Sequence, residues 1–189
     1  MVCCANPEGT HGHYMVRDAI LPLLHLADPT ASTETPELLS NAPGLRPADL
    51  YSVSALPGGP AALDVGVCSP DACGAGIDCC ETTFERKRRH YRDHADDMER
   101  TGLQYLPLVF SCYGRVHADC AAALEHIARQ AARRIGVTNH RPLLRRAHAG
   151  ISVALMKRAA SMARACLPKL SKESVQLAFG DTAGGEEDG

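Results

Sequence analysis

The chain has 189 residues, a formal net charge of −2, 45% hydrophobic and 4% aromatic residues, and no Trp. That length suits one domain with appendages, and the scarcity of aromatics leaves core packing to aliphatic and β-branched side chains. No run of about 18 apolar residues is present, so no membrane span is expected.

Met1-Val2-Cys3-Cys4 leads into Asn, Pro and Glu, with neither a charged n-region nor an apolar h-region. No signal peptide is expected, the protein is expected to be intracellular, and its nine cysteines are expected to be reduced. None forms a Cys-x-x-Cys, and adjacent pairs such as Cys3-Cys4 and Cys79-Cys80 make poor zinc knuckles. Most therefore read as buried thiols. Cys3 or Cys4 with His11 and His13 has the ligand types of a partial zinc site, which a longer N-terminus or a partner would have to complete.

Tyr14–Leu26 carries apolar residues at a 3/4 spacing (Val16, Ala19, Ile20, Leu23, Leu24), the pattern of an amphipathic helix that Pro22 should kink or break. Residues 28–47 are rich in Pro, Ser and Thr and read as loop, with Glu34 and Glu37 in it. Tyr51–Ala55 and Ala62–Cys68 flank Leu56-Pro57-Gly58-Gly59-Pro60 and predict an antiparallel hairpin. Cys79–Arg100 is charged and free of Gly and Pro, a predicted helix stopped at Thr101-Gly102. Leu103–Cys112 reads as a strand, placed at an edge or bulge by Pro107. Two helices follow, His117–Ile135 with Gly136 as C-cap, and Pro142–Leu167. Residues 180–189 are acidic and Gly-rich and are expected to be disordered.

The near-neutral charge hides an asymmetry. Residues 115–172 hold 12 Lys and Arg against 2 Asp and Glu, whereas residues 1–114 hold 8 against 15 and residues 173–189 none against 5. A basic block of this density is what a phosphate-backbone binder shows, and Arg129, Arg133, Arg134, Arg145 and Arg146 are its candidate contacts. A pair of solvated helices would look the same.

Two aspartates carry the chemistry. Asp49 lies in Arg46-Pro47-Ala48-Asp49-Leu50, and Asp64 interrupts Leu63, Val65 and Val67, a run that otherwise reads as buried. A carboxylate in such a run needs a partner or a metal, and two at one end of a hairpin can hold a hard divalent cation through oxygen. Asp49 also reads as a turn former after Pro47, and Asp64 as the partner of Arg46 or Lys87 in a structural ion pair.

The order helix, hairpin, helix, strand, with this Asp pair, resembles the PD-(D/E)XK nucleases. It resembles more closely the restriction-like endonuclease domain at the C-terminal end of the reverse transcriptase polyproteins of site-specific non-LTR retrotransposons. The pieces that carry the resemblance are Gly12-His13-Tyr14-Met15-Val16-Arg17, Arg46-Pro47-Ala48-Asp49, Asp64-Val65-Gly66-Val67 and Arg86-Lys87-Arg88-Arg89-His90-Tyr91. They depart from the family pattern at Tyr14, where an Asn is usual. Ala48 is an insertion that moves Asp49 by one residue, which a bulge or a later strand start would restore.

The resemblance implies an α/β fold, a small mixed sheet with flanking helices followed by basic helices. Over roughly residues 11–135 it implies an endonuclease-like core, placed at residues 1–115; the charge pattern adds a basic helical extension over 116–170 packed on that core and an acidic, disordered tail over 171–189. The resemblance further implies Mg²⁺- or Mn²⁺-dependent hydrolysis of DNA in the nucleus, with retroelement RNA or the reverse transcriptase as further partners. Asp49 and Asp64 would be direct metal ligands, with Glu34 as third acid and Glu37 in reserve. Lys87, moved onto the helix from the strand position that Gly66 fills here, would orient the nucleophile or neutralise charge beside Tyr91. His13 and His90 read as structural or surface residues. Without the polymerase and zinc knuckle usual upstream, the chain reads as a stand-alone or truncated reading frame. The competing expectations are a nucleic-acid-binding remnant that has lost cleavage, and a structural or interaction protein.

Overall fold

The computed structural model describes residues 7–72 and 74–166. In chain order it has α1 (Pro7–Ala27), β1 (Ser32–Thr33), β2 (Leu50–Ser52), β3 (Ala61–Cys68), α2 (Cys79–His90), a 3₁₀ turn (Arg92–His94), α3 (Ala95–Thr101), β4 (Gln104–Ser111), α4 (Ala118–Ile135) and α5 (Arg141–Cys166). The four strands form one mixed sheet in the order β1-β2-β3-β4, antiparallel except for the parallel pair β3/β4. The expected mixed α/β class is therefore present. No helix among the described residues is long and apolar enough to cross a membrane.

Side chains two apart on a strand share a face, and β3 uses its two faces differently. Ala61, Leu63, Val65 and Val67 enter the main core with Val16, Ile20 and Leu24 of α1, Leu124, Ile127 and Ala131 of α4, and Ala147, Ile151 and Leu155 of α5. The basic helices thus share one core with α1 and the sheet. The opposite face, bearing Asp64, Gly66 and Cys68, meets α2, the crossover that returns the chain to the parallel strand β4. Pro107 stands on that edge strand, opposite Asp64, where an edge can spare its missing donor.

Three expectations need correction. Pro22 does not interrupt α1. It lies on the exposed face, where the Asp18 carbonyl that it leaves without a donor can be hydrated. The hairpin's first strand stops at Ser52 rather than Ala55, because the Val53 and Ser54 amides donate to the Asp28 carboxylate and leave the ladder. The predicted helix over 79–100 is broken at Tyr91. There the ring packs at 4.6 Å from the Tyr105 ring and the hydroxyl donates to the Arg46 carbonyl at 3.2 Å, anchoring the chain to the loop before β2.

The remaining boundaries follow local chemistry. Asp78 caps α2 by accepting from the Cys80 and Glu81 amides. Gly102 and Gly136 end α3 and α4 at φ of 67° and 74°, the left-handed conformation that glycine adopts without strain. His117 caps α4 through Nδ1, which accepts from the Asp119 amide. Its ring stacks on Phe84 at 3.9 Å, tying α2 to α4. Leu167, at the expected end of the last helix, and the acidic tail lie outside the described residues.

Candidate functional site

Asp49 and Asp64 come together on the α2 side of the sheet. Asp49 sits one residue before β2. Its amide donates to the Leu63 carbonyl at 3.0 Å, and its Oδ2 accepts from the Val65 amide at 2.6 Å. Asp49 is thereby held by the strand that carries Asp64, and each carboxylate influences the other's protonation.

The surroundings differentiate the pair. Burial raises the pKa of Asp49, but the hydrogen bond and charge of His13 and the Val65 amide outweigh it, so Asp49 stays below the usual carboxylate range. The Nε2 of His13 is 2.9 Å from Asp49 Oδ1. Asp64 is pushed up, chiefly by burial and further by the charge of Asp49, although Lys87 and Tyr105 both oppose this. Two neighbouring carboxylates whose affinities for protons are pushed in opposite directions can together attract positive charge. The donor set, hard carboxylate oxygens just before β2 and on β3, is of the kind that suits Mg²⁺ or Mn²⁺.

Lys87 reaches Asp64 from α2, Nζ to Oδ1 at 2.6 Å, with the two side chains only 21% and 15% exposed. The approach depends on Gly66. A Cβ there would stand 2.6 Å from Lys87 Cε and 3.4 Å from Cδ, so a side chain on the strand would force the lysine stem to shift. Tyr105, on β4, donates its hydroxyl to Asp64 Oδ2 at 2.5 Å. Burial and the charges of Asp64 and Asp49 raise the Tyr91 hydroxyl to about 12, keeping it protonated at neutral pH.

Outward from Asp64 opens a cleft of about 530 Å³ lined by Arg86, Lys87, Arg89, His90 and Tyr91. Arg88 points elsewhere, toward Glu85 and over the Phe84 ring.

Glu34 takes a different place from the one expected. Its amide donates to the Asp49 carbonyl at 3.2 Å, but its carboxylate bonds Arg17 at 2.6 Å and lies 3.9 Å from Arg46. Among the described residues no trio of carboxylates or histidines converges, so Glu34 does not close a set with Asp49 and Asp64. Glu34 and Glu37 both have positive φ, 50° and 59°, an uncommon conformation for non-glycine residues.

Sequence reasoning missed His13 and Tyr105 as members of the site. His13 was visible in the helix-leading motif, whereas nothing in the strand of Tyr105 marks it. Of the expected zinc set, Cys3 and Cys4 lie outside the described residues, and His13 is engaged with Asp49.

The five arginines of the basic helices do not line the cleft. Arg129 pairs with Glu125 at 2.6 Å. Arg133 and Arg134 flank Ala27 and Asp28 at the C-terminal end of α1, about 20 Å along that helix from His13 at 1.5 Å per residue. Arg145 and Arg146 are exposed on α5.

Compared with known proteins, the chain matches no family model, no curated protein and no solved structure.

Proposed function

We propose that this protein is a metal-dependent endonuclease of the PD-(D/E)XK type, related to the restriction-like domains of non-LTR retrotransposons, and acting on DNA in the nucleus. One observation carries the reading: Asp49 accepts from the Val65 amide next to Asp64 on β3, and Lys87 reaches Asp64 from the following helix through space that Gly66 leaves open.

Asp49 and Asp64 would hold Mg²⁺ or Mn²⁺. A metal bound there polarises a phosphoryl oxygen and lowers the pKa of an attacking water. The protein's own groups do the rest. His13 and the Val65 amide keep Asp49 ionised. Tyr105 and Lys87 orient Asp64. The Lys87 ammonium offers its positive charge where charge develops on the phosphate, and Arg86 and Arg89 line the path by which a polyanion would approach. Arg129, Arg133, Arg134, Arg145 and Arg146 would add contacts to backbone phosphates remote from the scissile bond. Retroelement RNA or a reverse transcriptase would be further partners.

A second reading, a nucleic-acid-binding domain without cleavage, draws on the saturation of the pair. Both oxygens of each aspartate already have partners within the chain. Nicking of supercoiled plasmid separates the two. The endonuclease should nick with Mg²⁺ or Mn²⁺, stop with EDTA, and lose activity in Asp64→Ala. Metal-independent nicking, or nicking undiminished in Asp64→Ala, overturns the assignment; DNA binding with no nicking in either metal favours the second reading.

A further inference from the structure

At the other end of β3, three thiols meet that the carboxylate site does not use. Cys68 closes the strand on the same face as Asp64 and Gly66, while Cys79 and Cys80 open α2. The Cys68 sulfur is 3.5 Å from that of Cys79 and 3.7 Å from that of Cys80, and all three lie within 4.8 Å of one another. Among the described residues this is the only set of three or more His, Cys, Asp or Glu that converges so closely. Cys79 and Cys80 are buried, and Phe84 and Val109 wall the cluster.

The spacing fits a metal better than a disulfide. Tetrahedral zinc–sulfur bonds of about 2.3 Å place neighbouring sulfurs roughly 3.8 Å apart, whereas a disulfide needs about 2.05 Å. The adjacency of Cys79 and Cys80 argued against a knuckle, in which both ligands of a pair come from one turn. Here Cys68 approaches from the sheet, and two successive residues of a first helical turn suffice to complete a triangle.

An independent observation points the same way. Arg158 of α5 is 8% exposed, and its Nε has no hydrogen-bond partner. Burial disfavours its charge, and the groups that oppose this are the sulfurs of Cys112 and Cys68. A buried N–H donor left without an acceptor is costly. Three thiolates around a divalent cation carry a net negative charge and would supply that acceptor.

We propose that Cys68, Cys79 and Cys80 bind one thiophilic divalent cation, zinc in the cell, in a structural site that fastens the start of α2 to the end of β3. Among the described residues no fourth His, Cys, Asp or Glu converges on the three sulfurs. Thiolate sulfur selects zinc over Mg²⁺, so the two ends of β3 sort different metals. Lys87 lies two turns along α2 from Cys80, so the fastening also sets the register at which Lys87 meets Asp64.

The test is a Co²⁺ titration of the reduced full-length protein. One equivalent should give a sulfur-to-cobalt charge-transfer band in the near ultraviolet and the visible bands of tetrahedral cobalt, and one equivalent of Zn²⁺ should bleach both. Cys68→Ser and Cys79→Ser should each lose the visible bands; Cys120→Ala should keep them. Asp64→Ala should keep them too, which separates this site from the carboxylate pair. Elemental analysis of unmodified protein from zinc-supplemented cells should find about one zinc per chain, a result independent of how the variants fold. No tetrahedral bands and no zinc in the unmodified protein, or bands that survive Cys68→Ser and Cys79→Ser but vanish in Cys3→Ser/Cys4→Ser, would overturn the proposal.

Discussion

Moving the lysine from helix to strand tests the logic of the carboxylate site. In Lys87→Ala, Asp64 keeps Tyr105 but loses the ammonium at 2.6 Å. Breaking a fully buried pair costs about 3–5 kcal/mol, and an exposed pair is worth about 0–1 kcal/mol. With side chains 21% and 15% exposed, and with Asp64 free to take up a proton, a loss of about 1–2 kcal/mol in unfolding free energy is expected. If Lys87 also stabilises the transition state, nicking should slow by about 10²–10³.

Gly66→Lys restores a cation on the same strand face, about 6.6 Å from the Asp64 Cα at 3.3 Å per residue, a distance that a lysine stem can span. It does so best when the helix lysine is gone, because a Cβ at 66 would stand 2.6 Å from Lys87 Cε and the two stems would compete for one space. The double variant Gly66→Lys/Lys87→Ala should therefore nick within about tenfold of the parent, given that one electrostatic stabiliser is regained. It should also recover most of the lost stability, and Gly66→Lys alone should do worse than the double. Urea unfolding and plasmid nicking read the two effects separately. A double variant no better than Lys87→Ala in either measurement would refute the idea that Gly66 and Lys87 are two halves of one device.

Asp28 should matter for stability alone. Its buried carboxylate accepts from Thr30, Ser52, Val53 and Ser54, so Asp28→Ala leaves the buried Ser52 hydroxyl and several part-buried donors unmet and should cost about 1–3 kcal/mol in urea unfolding; a loss below about 0.5 kcal/mol would mean that water replaces it. Acid should destabilise the fold partly through Asp97, which the Ser40 hydroxyl, Arg100 and the Ser40 and Asn41 amides hold at about 2. Its folded pKa lies below the unfolded value of about 3.9, so its contribution is in place above about pH 4 and fades as pH falls through about 2. Asp97→Asn should flatten stability against pH in that window, and an unchanged slope would assign acid lability elsewhere. Changing Arg133, Arg134 and Arg145 to Gln should weaken DNA binding and reduce the log–log salt slope by about one unit per lost phosphate contact, whereas an unaltered slope would place these charges in solvent. Arg89→Gln should impair DNA binding more than Arg88→Gln, since Arg89 lines the cleft and Arg88 does not.

The order of elements was legible in the sequence because it is written in local signals. Apolar spacing in α1 and α4, the Pro-Gly turn of the hairpin and the glycines at 102 and 136 each act within a few residues. Asp64 was legible for a related reason, as a carboxylate inside a β-branched run announces a constraint wherever the strand ends up. Where local rules failed, a distant group had intervened: Asp28 drew Val53 and Ser54 off the sheet, and Tyr105 with the Arg46 carbonyl ended α2 at Tyr91. Glu34 could not be placed from its loop sequence because Arg17, on another element, decides where its carboxylate goes. The same holds for His13 and Tyr105, whose roles rest on contacts 36 and 41 residues away, and for the cysteines. Periodicity reports which face a side chain takes, but only the parallel pairing of β3 with β4 and the crossover of α2 put Lys87 on Asp64 and Cys68 against Cys79 and Cys80. Such meetings depend on how whole elements pack, and no window of neighbouring residues contains that information.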